Sequence, residues 1–217
     1  MAEINLLDLY PKAKRNLESR ANSASDQDRL LARQFGLEYF DGTRNQGYGG
    51  YRYDGRWKPV VKRFASHYGL KPGSRVLDVG SAKGFMLYDF MTELEGIEVA
   101  GIDISQYAFD HALPDTKPFL KVGNATALPY DDQSFDLVIS INTIHNLALP
   151  ELKQSLREIE RVSKRHSFIT VDAYHDETER ARMLQWNLTA LTHMYVPEWV
   201  KLFDEVGYTG DYFWFIP

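Results

Sequence analysis

The sequence contains no cysteine. Disulfides, thiolate nucleophiles and cysteine-bound metal are therefore excluded; a reducing compartment is compatible with that lack. Long apolar runs are missing as well. No stretch approaches the roughly 18–20 residues that cross a bilayer, and the opening MAEINLLDLYPKAKRNLESR lacks the apolar centre of a signal peptide. The expectation is a soluble, cytoplasmic protein with no membrane partner. Basic excess is missing too: 25 Lys and Arg face 30 Asp and Glu, for a net charge of −5. A broad nucleic-acid footprint needs a basic face, so no nucleic-acid partner is expected, although a local basic patch is allowed. Repeats and low-complexity tracts are absent.

What is present is an ordinary globular composition. The chain has 217 residues, 44% of them hydrophobic, enough for one domain with a full core. The first forty residues carry apolar side chains at loose helical spacing, in LLDLYPKAKRNLESRANSA and again in DQDRLLARQFGLEYF. Residues 39–57, YFDGTRNQGYGGYRYDGRW, put five glycines and three arginines among aromatic residues. Such a segment has few helix or strand options and reads as a structured loop. From Trp57 the pattern changes. KPVVKRFASHYGL, FMLYDFMTELEG, QYAFDHAL, ELKQSLREIERVSKR, ETERARMLQWNLTAL and PEWVKLFDEVG read as helices. RVLDVG, IEVAGIDIS, KPFLKVGNA, FDLVISIN, SFITVDAY and YTGDYFWFIP read as strands. That alternation means βαβ units and a mainly parallel sheet.

The stretch RVLDVGSAKG, residues 75–84, places an acid at the end of an apolar strand and follows it with a glycine turn. A glycine turn between a strand and a helix lets a ligand approach the backbone closely. Amide groups at the helix start favour a carboxylate or phosphate, and Asp78 at the strand tip could hold an ammonium group. The second strand ends in GID, with Asp103 23 residues after Gly80. An acid there is placed to accept hydrogen bonds from ribose hydroxyls. GNATALP follows the third strand, where Asn124 could meet an adenine edge, and SFDLVISINTIHNL brings a polar patch to the tip of the fourth. Each signal alone also reads as a turn or a cap; their order and spacing carry the weight.

With these residues in place, the sequence resembles the class I S-adenosylmethionine-dependent methyltransferases over roughly residues 57–217. The resemblance implies an α/β fold, a Rossmann-like three-layer sandwich. Its seven-stranded, mostly parallel sheet would end in an antiparallel C-terminal hairpin strand. Residues 1–56 would form an N-terminal helical cap with a Gly/Tyr/Arg-rich lid loop, and 57–217 the core. It implies S-adenosyl-L-methionine as cofactor. Asp78, Gly80, Ser81, Ala82 and Gly84 would line its methionine part, and Asp103 its ribose. Ile104, Asn124 and Ala125 would meet its adenine, and Asn142 would lie near the sulfonium. Two positions depart from the family pattern. Ala82 replaces a glycine, so the backbone there is expected to avoid positive φ, and Asn124 stands where an aspartate is frequent. Lys83 could neutralise a carboxylate, but the favoured reading is a solvated first-turn lysine. A nicotinamide-binding fold shares the glycine turn and later acid, but the later segments fit the methyltransferase pattern better.

Methyl transfer is an in-line displacement in which the protein positions the acceptor and excludes water. A base is needed only if the acceptor loses a proton. His145, Asn142 and His175 are the catalytic candidates by position; His145 also reads as a packing or capping residue, as does Asp172. In the 39–57 loop, Tyr48, Tyr51 and Tyr53 could stack on a ring or face a sulfonium. Arg44, Arg52 and Arg56 could clamp an anion, or pair with Asp41 and Asp54 in a purely structural loop. Trp186, His193 and Tyr195 read as a second wall or as core. The expected function is methyl transfer to oxygen or nitrogen of a small polar or anionic acceptor, such as a sugar, nucleotide-sugar or organic acid. The alternatives are a methyltransferase acting on protein or RNA, and a non-catalytic cofactor-binding regulatory module. No metal-ligand cluster stands out, and a homodimer is compatible with the sequence.

Overall fold

The computed structural model describes residues 1–11 and 25–217. Two short helices open the second stretch. Helix α1 (Asp26–Ala32) starts with a capping box between Ser25 and Asp28, and α2 (Leu37–Asp41) follows. The expected helix through LLDLYPKAKRNLESRANSA does not form over residues 1–11, which are extended or turn-like, and its remainder lies outside the described residues. The first residues find backbone partners elsewhere: Tyr212 N–H donates to Ala2 O at 3.0 Å, and Ile4 N–H to Tyr212 O at 2.9 Å. Leu6 is fully buried and packs with Val60, Val61 and Phe64, so this segment is part of the core.

From Lys58 the alternation read from the sequence is realised. Helix α3 (Lys58–Tyr68) has a proline in its first turn and stops at Gly69, which adopts φ 63°. It is followed by β1 (Arg75–Val79), α4 (Phe85–Glu93), β2 (Glu98–Asp103), α5 (Gln106–Asp110), β3 (Leu120–Val122) and β4 (Phe135–Ile141). Then come α6 (Leu149–Val162), β5 (Ser163–Tyr174), α7 (Glu177–Trp186), β6 (Met194–Tyr195), α8 (Val196–Val206) and β7 (Asp211–Phe215). Helix α6 ends three residues before the expected Arg165, because Ser163 enters β5 directly and pairs with Phe135.

The sheet has seven strands in the order β3-β2-β1-β4-β5-β6, with β7 also paired to β5. It is a three-layer α/β sandwich of the Rossmann-like type. One expectation is corrected. The last strand is not antiparallel: β7 runs parallel to β5, from Phe168↔Asp211 to Asp172↔Phe215. The cause is the eleven-residue α8 between β6 and β7, a crossover that carries the chain back to the starting end of the sheet before β7 begins.

Side chains alternate between two apolar layers with the period of two that strands impose. Val76, Leu137, Ile139 and Phe168 pack under α3 and α4 with Val60, Phe64 and Phe90. Leu77, Val79, Val138, Ile169 and Val171 pack with Leu156 and Ile159 of α6 and Trp199 and Phe203 of α8. Strand β1 lies between β2 and β4, so the chain order reverses there. The crevice above such a switch point is where open α/β sheets bind ligands.

Candidate cofactor and methyl-transfer site

Strand β1 delivers Asp78 to that crevice with 5% exposure. Gly80 follows with φ 90°, and a Cβ there would collide with the Thr143 side chain from the loop after β4. The turn therefore needs glycine both for its backbone and for that close approach. Ala82 does not avoid positive φ as expected: it adopts φ 48°. An L-residue is strained there, and the compensation is visible. Ala82 N–H donates to Asp103 Oδ2 at 2.7 Å, while Ser105 N–H donates to Asp103 Oδ1 at 2.8 Å. Gly84, at φ 75°, opens α4. Beside Asp103, Ile104 is 55% exposed. Across the crevice, Ala125 is half-buried, and the exposed Asn124 folds its Oδ1 onto Thr126 N–H at 3.0 Å.

Both carboxylates are held away from ordinary ionisation. Burial, aided by the neighbouring Asp103 charge, pushes Asp78 up to about 8. Burial also raises Asp103, against the two backbone amides that favour its charged form. Such perturbed acids in a cleft mark a binding site.

The 39–57 segment folds over this crevice. Burial raises the Tyr51 phenol well above its ordinary value, with Tyr48, Tyr10 and Asp78 adding to the effect. Tyr48, 40% exposed, is raised first by the neighbouring Tyr39 phenol, with Asp103 contributing. The two rings pack at 4.4 Å, and Tyr51 stacks on Phe85 at 4.8 Å. Tyr53 is tied to α4 instead, donating to Asp89 Oδ1 at 2.6 Å. The arginines do not gather at one point. Arg56 is bound to Asp54 at 2.5 Å and reaches Tyr10 Oη, as the structural-loop alternative anticipated for Asp54. Arg44 is exposed, with its stem against Gly49.

Lys83 overturns the expectation of a solvated lysine. It is 4% exposed, and its ammonium donates to Asp41 Oδ2 at 2.6 Å and to Tyr51 O at 3.0 Å. Tyr107 Oη shares Asp41 Oδ2 at 2.7 Å, and Tyr51 N–H takes Asp41 Oδ1 at 3.0 Å. Burial opposes ionisation of Asp41, but these donors outweigh it and its pKa is lowered. A lysine of the glycine turn thus holds the lid. A second tie joins Ser105 Oγ to Phe35 O at 2.5 Å. A third joins Arg29 Nε to Asn187 O at 3.4 Å. The segment from α1 to Trp57 therefore bridges the crevice from the tip of β2 to the loop after α7.

At the tip of β4, Asn142 is exposed with φ 51°, a conformation asparagine tolerates. Its Oδ1 accepts from the Thr170 hydroxyl at 2.9 Å. His145, in a 3-10 turn, is 4% exposed. Its Nδ1 accepts from Asp172 N–H at 2.9 Å, so the ring proton sits on Nε2. Burial lowers its pKa, against the pull of Asp172, so the ring is neutral. Leu191 and Thr192 N–H both donate to its carbonyl at 3.0 Å. His175 is exposed and turned toward Glu179, 2.9 Å away. Trp186 is half-buried, 6.1 Å from Phe215. Among the described residues no group of three or more His, Asp or Glu could hold a metal ion, and no helix is long and apolar enough to cross a membrane.

The sequence reading did not assign Tyr10, Tyr39, Asp41, Ser105 or Tyr107 to the site. Asp41 and Tyr39 lay inside the singled-out loop, and Ser105 was legible as the cap of α5, whose Ala108 N–H it accepts at 2.9 Å. Nothing local in the sequence marks Tyr10 or Tyr107.

The family model for the methyltransferase domain matches residues 77–171, from β1 to β5. Among curated proteins, the chain is similar to sterol 24-C-methyltransferase erg6 of Schizosaccharomyces pombe, at 29% identity over 65% of this chain and 40% of that protein. It is also similar to the tRNA (carboxymethyluridine(34)-5-O)-methyltransferase of Arabidopsis thaliana, at 30% identity over 67% of this chain and 34% of that protein. The chain thus spans well under half the length of either relative. Among solved structures, phosphoethanolamine N-methyltransferase 2 of Haemonchus contortus, in complex with phosphomonomethylethanolamine and S-adenosylhomocysteine, superposes with a TM-score of 0.59. The match covers 81% of this chain and 44% of that one at 20% identity, a likeness of fold. The site suits the same cofactor. Asp78 is a buried carboxylate whose charge an ammonium would restore, the buried Ser81 hydroxyl has no partner among the described residues, and Ile104 offers an apolar face beside Asp103. By its matched domain, its sheet and this site, the chain belongs to the class I S-adenosylmethionine-dependent methyltransferases.

Proposed function

We propose that this protein transfers a methyl group from S-adenosylmethionine to oxygen or nitrogen of a small polar or anionic acceptor. The observation that carries the choice of a small acceptor is enclosure. Segment 39–57 is closed onto the glycine turn: Tyr51 stacks on Phe85 at 4.8 Å, and the Lys83 ammonium donates to Asp41 Oδ2 at 2.6 Å and to Tyr51 O at 3.0 Å. A macromolecular acceptor would favour an open groove.

When bound, the cofactor supplies the electrophilic methyl group. The chain's own residues bind, orient and exclude water. Asp78 and the backbone from Gly80 to Gly84 hold the amino-acid tail, Asp103 the ribose, and Ile104, Asn124 and Ala125 the adenine. The lid tyrosines shed water from the crevice and present ring faces to positive charge. Asn142 keeps its amide N–H groups available, because Thr170 engages only its oxygen. His145, as the Nε2–H tautomer, donates a hydrogen bond from that atom; it takes a proton only by giving that bond up.

The relatives act, by name, on a sterol and on a tRNA. An RNA acceptor is the second reading, favoured by the tRNA methyltransferase match. The test is an acceptor panel with S-adenosylhomocysteine release as readout. Turnover with small hydroxy acids, sugars or phosphorylated amines, and none with bulk tRNA, supports the small-acceptor reading. Turnover with tRNA alone overturns it. Cofactor binding without turnover on any acceptor would favour a regulatory module.

A further inference from the structure

A cavity of about 520 Å³ opens between lid residues 50–53, the start of α4 and the end of α5. None of Asp78, Gly80, Asp103, Asn142 or His145 lines it, whereas Lys83 of the glycine turn and Tyr51 of the lid do. We propose that this cavity is a second ligand site, which takes a small organic anion carrying an aromatic or similarly flat apolar group.

Asp41 is the cavity's one acid, and it is fully engaged: Lys83 and Tyr107 hold Oδ2, and Tyr51 N–H holds Oδ1. Arg52 is exposed at the lip and has no hydrogen-bond or ion-pair partner among the described residues. Its neighbours along the chain differ, since Arg56 is committed to Asp54 and Tyr53 to Asp89. His111 lines the cavity but contributes no donor: its Nδ1–H is spent on Tyr107 O at 2.8 Å, which leaves Nε2 as an acceptor, so the pull on an anion comes from Arg52. The surplus is cationic.

The walls of the cavity limit the ligand. Tyr51, Tyr53 and Phe85 form an aromatic wall, with Tyr51 stacked on Phe85 at 4.8 Å and Tyr53 edge-on to it at 5.8 Å. Leu113 also lines the cavity. A volume of about 520 Å³ falls within the usual range for small-molecule pockets. An apolar wall with an unpaired guanidinium at its rim suits a ring bearing a carboxylate or phosphate, which arginine grips bidentately. The site does not depend on the methyl-transfer reading, and its test reads binding alone.

The experiment titrates the full chain with phenylphosphate, phenylacetate and inorganic phosphate, by calorimetry or NMR, with and without saturating S-adenosylhomocysteine. The expected result is saturable binding of both phenyl anions, with inorganic phosphate weaker. Arg52→Ala should weaken the phenyl anions at least about tenfold, as expected for loss of a charge-assisted pair, while Arg52→Lys retains part of the affinity. Ala112→Trp, which fills the cavity, should abolish their binding and leave S-adenosylhomocysteine binding intact. The proposal is overturned if no phenyl anion saturates, if Arg52→Ala binds them as wild type does, or if S-adenosylhomocysteine displaces them. If S-adenosylhomocysteine fails to bind at all, the methyltransferase reading fails, and the anion titration is judged separately.

Discussion

Ala82 N–H points at Asp103 Oδ2 across 2.7 Å while Ala82 itself sits at φ 48°. One bond thus joins the glycine turn after β1 to the acid ending β2, and it is formed from a strained backbone. Ala82→Gly should relieve the strain and raise stability by about 1 kcal/mol, the usual scale for a non-glycine residue in the left-handed region. Urea denaturation measures this, and a destabilised variant would show that the Ala82 methyl makes contacts worth more than the strain.

Asp103 accepts two backbone amides, from Ala82 and Ser105. An asparagine can satisfy only one of them, because its NH₂ must then face the other N–H. Asp103→Asn is therefore expected to disturb the turn as well as the proposed ribose contact. The loss of S-adenosylhomocysteine affinity should be on the order of 1–3 kcal/mol, the range for hydrogen bonds to a charged group. Calorimetry at wild-type affinity would remove Asp103 from the cofactor site.

The raised pKa of Asp78 has a defined sign. Between its ordinary value of 3.8 and about 8, the folded protein binds more protons at this residue than the unfolded chain. Its contribution to stability therefore falls as pH rises through that window. Ligand binding runs the other way, since an ammonium group needs the ionised carboxylate. S-adenosylhomocysteine affinity should rise from pH 6 to 8 with release of a proton, and Asp78→Asn should flatten that rise. Calorimetry in buffers of different ionisation enthalpy counts the proton; zero release near pH 7 would refute the assignment.

The Lys83–Asp41 pair, with side-chain exposures of 6% and 24%, ties the lid to the turn. Lys83→Met keeps the stem and deletes the charge, while Tyr107 and Tyr51 N–H continue to satisfy Asp41. Residues 39–57 should then lose hydrogen-exchange protection by about ten- to a hundredfold, corresponding to roughly 1.4–2.8 kcal/mol of local opening. The acceptor KM should rise with little change in the helices of the core. Unchanged exchange in the lid would mean that the aromatic packing alone holds it.

The parts of the fold legible in the sequence were those written in local chemistry. The period-two strands, the amphipathic α6 and α8, and Gly69 and Gly207 as helix stops all depend on neighbours along the chain. The glycine turn and Asp103 were legible for the same reason. What escaped depends on residues distant in sequence. Lys83 reads as a surface lysine until Asp41, 42 positions away, is brought against it. Ala82 reads as excluding positive φ until Asp103 supplies a bond that holds it there. The parallel β7 escaped because a strand's direction is set by the crossover before it, and the likeness of DYFWF to a hairpin strand says nothing of α8.

His145 separates positioning from chemistry. Its Nδ1 satisfies Asp172 N–H deep in the fold, so His145→Ala leaves a buried donor unpaired at a cost of about 1–3 kcal/mol. His145→Asn can offer an oxygen in its place and should restore most of that stability. Burial lowers the imidazole pKa, so the stability it confers is fully present above its ordinary value of 6.5 and is lost as pH falls through the lower folded value. If the ring donates to or deprotonates the acceptor, the asparagine variant should fold normally and bind S-adenosylhomocysteine normally, yet lose about a hundredfold in kcat. Denaturation, calorimetry and turnover on one preparation distinguish the two roles. A stable His145→Asn variant with wild-type kcat would leave His145 as a positioning residue for β5.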